Sequence, residues 1–113
     1  MDKQQKEISK KQIEILRYDS LMHKKLLIIA EIQMLYEKLL MTLLMAESFK
    51  NNMILESSRI MKKIAKSLMY NSKFWEPDNI TELQKYKNKI NVIPIEELKI
   101  CLVYLKRFIR KYQ

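Results

Sequence analysis

The stretch "LLIIAEIQMLYEKLLMTLLMA", residues 26–46, decides the fold. It is long enough to span a bilayer, but Glu31, Glu37 and Lys38 fall near its middle, where charge is costly in hydrocarbon. At 3.6 residues per turn, Glu31, Lys38 and Thr42 share one narrow stripe, and Gln33 and Glu37 share another. Apolar side chains fill the sectors between. The pattern predicts a core helix over about 20–49 with neighbours on more than one side, and no integral membrane segment.

Working outward, "KNN" at 50–52 reads as a turn, with Asn52 as the N-cap of a third helix over about 53–70. That helix sets Met53, Ser57, Ile60, Met61, Ile64, Ala65 and Leu68 on one face and Arg59, Lys62, Lys63 and Lys66 on the other. On the N-terminal side, Ile8, Ile13, Ile15 and Leu16 among Lys, Gln and Glu predict a modest amphipathic helix over 3–18, with Glu7 and Lys11 at a supportive spacing. Asp19 and Ser20 either cap the next helix or lie inside one continuous rod.

Towards the C-terminus, "NSKFWEPDN" at 71–79 breaks the helical period, because a residue before proline is pushed towards extended backbone. Asn79 and Glu82 have capping-box spacing, which predicts a short helix over about 80–90. The last helix, 94–112, repeats Ile95, Leu98, Leu102, Leu105, Ile109 and Tyr112 by threes and fours. Its acids, Glu96 and Glu97, open it, and Arg107, Arg110 and Lys111 close it, as the helix dipole favours.

Glycine is absent from all 113 residues, and there are two prolines. Hairpin turns with positive φ, P-loops and dinucleotide fingerprints all need glycine, so sheet folds and nucleotide loops are disfavoured. The fold class that follows is all-α: a single domain over 1–113, an up-and-down bundle of four to five helices.

Chemistry is sparse. His23 and Cys101 are alone of their kinds, and no CxxC, HExxH or Glu-x-x-His pattern occurs. The sequence therefore predicts no metal, no cofactor and no catalytic residues, a non-enzyme. Cys101 sits beside the apolar seam of the last helix, where a small buried hydrophobe is wanted. One cysteine excludes an internal disulfide and fits a reducing compartment, and "MDKQQKEISKKQ" lacks the apolar core of a secretory signal. A cytoplasmic location is the expectation.

Charge carries the functional signal. Twenty-two Lys and Arg against 13 Asp and Glu leave a net +9, which attracts nucleic acid, anionic membrane or acidic protein. Lysine outnumbers arginine 18 to 4, a bias that AT-rich coding alone would produce. The densest stretch is "SSRIMKKIAKSLMYNSKFW", residues 57–75, with no acid between Glu56 and Glu76.

Arg59, Lys62, Lys63 and Lys66, with Lys73 and with Lys106 and Arg110 from the last helix, are the candidate phosphate contacts. Phe74 and Trp75 are candidates for stacking on unpaired bases. The plainer reading makes the cations the wet face of a helix and Trp75 the plug of a core. The expected function is a small basic binding subunit of a larger assembly, contacting an RNA or DNA backbone without sequence specificity. The alternative is a protein-binding module (inhibitor, immunity or adaptor protein) docking on an acidic partner or through an apolar helix face. Met22, Met34, Met41, Met45, Met53, Met61 and Met69 could supply such a face. A protein partner fits both readings, and so does a homo-oligomer.

Overall fold

The computed structural model describes residues 3–49, 51–89 and 91–113, with side chains from Lys10 onward except at 49, 51 and 52. Among these residues the chain forms four α-helices and no strand, an all-α protein. The helices are α1 (Lys3–Phe49), α2 (Asn51–Tyr70), α3 (Thr81–Gln84) and α4 (Ile95–Tyr112), with 3₁₀ turns at Ser72–Phe74 and Pro77–Asn79. The turn expected at 50–52 includes Lys50, which lies outside the described residues; Asn52 belongs to α2 rather than preceding it. The Glu7–Lys11 pair likewise lies outside the described side chains.

Of the two options left at Asp19 and Ser20, a cap between helices or one continuous rod, the chain takes the rod. Neither proline nor glycine interrupts the period, and Asp19 and Ser20 lie exposed along the rod. Forty-seven residues at about 1.5 Å each come to about 70 Å, and the molecule measures 70 × 21 × 20 Å. Its radius of gyration, 19.0 Å, exceeds the roughly 13 Å of a compact chain this long. The excess comes from the N-terminal part of α1, where every side chain from Lys10 to Lys24 is exposed.

The body is built on the C-terminal half of α1. The end of α2 meets Lys24, Ile28 and Glu31, so α2 folds back antiparallel to α1. In α4, Lys99 near the start reaches Glu47 at 2.7 Å, while Gln113 at the end donates to Gln33 at 2.8 Å. Helix α4 is therefore also antiparallel to α1 and runs the same way as α2. The up-and-down alternation stops there, because the described residues 71–89 and 91–94 lie between two helices that run the same way.

Both partners sit on one side of α1. It buries Ile28, Ile29, Ile32, Leu39, Leu43 and Ala46, while Leu27, Met34, Met41 and Leu44 are 55–70% exposed on the opposite side. The expectation of neighbours on more than one side is met only at the two flanks of this buried face, which take α2 and α4; the second apolar face is open.

Close packing of α2 uses its small residues. Ser57 and Ser58 are fully buried, and their hydroxyls donate to the carbonyls of Met53 and Ile54. Met61, Ile64 and Leu68 lie in the same core as Leu83, Ile93, Leu98 and Leu105. The helix expected over 80–90 shrinks to α3, followed by turns. The capping box does not form: Asn79 Nδ2 donates to the Tyr112 hydroxyl, and Glu82 pairs with Lys85 at 3.2 Å.

Candidate nucleic-acid interface

The cations of α2 follow from its amphipathic period. Burying Ile60, Met61, Ile64 and Leu68 turns Arg59, Lys63 and Lys66 to water, with Lys62 half-buried at the edge. Arg59 and Lys63, and Lys62 and Lys66, stand four apart, where like charges cost a helix about 0.2–0.5 kcal/mol per pair. Glu56 offsets part of this cost through Arg59, at 3.7 Å. Among the described ion pairs none involves Lys62, Lys63 or Lys66.

At the end of α2 this stripe meets a groove of about 650 Å³ between α1 and α2. Lys66 lines it together with Lys24 of α1 and Lys87 of the turns after α3; Ser67, Tyr70 and Asn71 add polar edges, and Glu31 is the one acid on its wall. Three elements far apart in sequence thus bring three lysines to the wall of one concavity. Neither Lys24 nor Lys87 stood out in the sequence, because their short lysine runs (Lys24 with Lys25; Lys85, Lys87 and Lys89) lie far along the chain from the α2 stripe and meet it only through the fold.

The cations of α4 do not join this set. Lys106 and Arg110 line a separate groove of about 190 Å³ with Gln33, Tyr36 and Glu37. On α1 these residues lie on the flank away from Lys24 and Glu31, so the basic faces of α2 and α4 are divided by the width of the rod.

The two aromatics part company. Trp75 is 5% exposed, its indole N–H donates to the Leu68 carbonyl at 3.1 Å, and its ring packs edge-on against Phe108 and Tyr112. It has no free face for a base and leaves the candidate set; the plug of the core is what it forms. Phe74 is half-buried, lies under the Lys73 ammonium at 5.2 Å, and lines a groove of about 320 Å³ with Tyr18, Leu21 and Met22.

Cys101 is buried, and burial pushes its thiol pKa up, against the opposing pull of its hydrogen bond with Tyr86. The Tyr86 hydroxyl is raised too, by burial first and then by Cys101. A thiol kept protonated in this way is a poor nucleophile. The pKa of Lys99 is raised, the ammonium held charged by its bond to Glu47. No described group of three or more His, Cys, Asp and Glu converges as a metal site, and no described helix is long and apolar enough to cross a membrane. Comparison of the chain with family models, curated proteins and solved structures finds no match.

Proposed function

We propose that the protein is a small non-catalytic binding subunit, a single helical domain working in the cytoplasm, that holds a nucleic-acid backbone along α2 and the groove at its end. The observation that carries this reading is the meeting of Lys24, Lys66 and Lys87 around one concavity, continuous with Lys62 and Lys63. Phosphate contact supplies most of the affinity of a sequence-independent binder, and lysine serves it as a point charge. The scarcity of arginine, and the lack of any base-reading element among the described residues, argue for backbone contact without sequence preference.

Fluorescence anisotropy with labelled single-stranded RNA and duplex DNA across a salt series tests this. Five contacts, from Lys24, Lys62, Lys63, Lys66 and Lys87, give a log–log salt slope of roughly −3.5 to −4.5. Reversing Lys66 and Lys87 to Glu weakens binding at least tenfold, while Lys106→Glu with Arg110→Glu, in the other groove, changes it much less. Absence of binding at low salt overturns the reading and returns these lysines to a solvated face.

A second reading has its own support. The open apolar face of α1, with Met34 70% exposed, suits a protein partner better than a polyanion.

A further inference from the structure

Positions 13, 16, 20, 23, 27, 30, 34, 37, 41, 44 and 48 of α1 alternate by three and four residues without a break, and every one is exposed. Ile13, Leu16, Leu27, Met34, Met41 and Leu44 among them are each more than half exposed. This is the period by which two helices wrap on one another, and it runs opposite Ile32, Leu39 and Ala46, which the body buries. The N-terminal part of the same seam lies on the projecting half of α1, and a helix of that length is marginal in water without tertiary cover.

We propose that a second copy of this chain provides the cover: two α1 helices pack antiparallel along the seam, about a two-fold axis between residues 28 and 29. In this register Ile13 meets the partner's Leu44, Leu16 meets the partner's Met41, and Leu27 meets the partner's Ala30. Beside the seam, Lys24 lies about 3 Å along the axis from level with the partner's Glu31, within side-chain reach, and the symmetry repeats that attraction. Glu37 lies across from the partner's Ser20, whereas a parallel pair would set Glu37 against Glu37. A stripe about 50 Å long and 10 Å wide, with the stems of flanking residues, approaches the roughly 800 Å² per partner of a specific interface. The same arrangement lays each projecting half along the open face of the other body, so one contact covers both. Since Lys24 and Glu31 also edge the α1–α2 groove, the two grooves come to the same side of the dimer.

Sedimentation of the full chain over a wide concentration range is the test, with a spin label at Lys11→Cys to report strand order. The expected result is a rise from 13.7 kDa to twice that mass, with labels about 50 Å apart. Leu27→Lys with Met34→Lys abolishes the dimer while the body still unfolds cooperatively. Lys24→Glu weakens association by about tenfold, from two attractions made repulsive, and adding Glu31→Lys restores it. A monomer at every concentration overturns the proposal and leaves the seam to a different protein; labels within about 20 Å overturn the antiparallel order.

Discussion

The backbone N–H of Ile93 donates to the hydroxyl oxygen of Ser58, 2.9 Å away and 35 residues earlier. Both residues are fully buried, and the bond ties the strap before α4 to the middle of α2. Ser58 is small enough for the strap to approach, and its own O–H donates to the Ile54 carbonyl. Ser58→Ala strands the Ile93 N–H away from water, a loss of about 1–3 kcal/mol. A lowered urea midpoint with an unchanged slope is the expected outcome.

Trp75 provides an optical check on its own placement. Its emission should be blue-shifted and poorly quenched by acrylamide, and added nucleic acid should leave it unchanged. Trp75→Ala empties the space between Leu68, Phe108 and Tyr112 and costs about 3–5 kcal/mol. Strong quenching by RNA would mean that the ring leaves the core when the protein binds.

Alkali should weaken the fold through Cys101 and Tyr86. In the unfolded chain the thiol loses its proton near its ordinary pKa, roughly 8.5, while the folded state holds it higher. Above that pH the unfolded state binds fewer protons, so stability falls as pH rises, whereas below it the contribution is fully present. Tyr86 is raised in the same direction and extends the loss beyond about pH 10. Urea midpoints measured from neutral to alkaline pH should decline, less steeply in Cys101→Ala and Tyr86→Phe.

Residues 1–17 can be removed with little effect on the body, because the first buried side chain among the described residues is Ile28. The shortened chain should lose helical circular dichroism in proportion to its length and keep its urea midpoint at low concentration. A large drop in midpoint would show that the projecting segment packs on the body after all.

Much of the fold was readable where one apolar face had one role. In α2, the face marked by Ser57, Ile60, Met61, Ile64, Ala65 and Leu68 is the buried one, and in α4 Leu98, Leu105 and Ile109 are buried as their spacing required. The central helix was harder, because it carries apolar residues on two faces and only the arrangement of α2 and α4 determines which is covered. Asn79 and Glu82 imitated a cap, but a tyrosine 33 residues away claimed the asparagine. Of the candidate cations, the stripe on α2 was legible from its spacing, whereas Lys24 and Lys87 needed three dimensions. Trp75 fell to core packing, the ordinary fate of a large ring beside a proline loop.

The length of α1 imposes a phase on everything built along it. One residue inserted before Lys25 would turn the projecting segment by about 100° relative to the body, while every side chain in the core stayed in place. Substitutions can be absorbed one by one along such a rod, but insertions and deletions cannot, since they twist one face out of line with the other. Tolerance to changes of length in this helix should therefore follow multiples of its turn, with whole heptads accepted and single residues rejected.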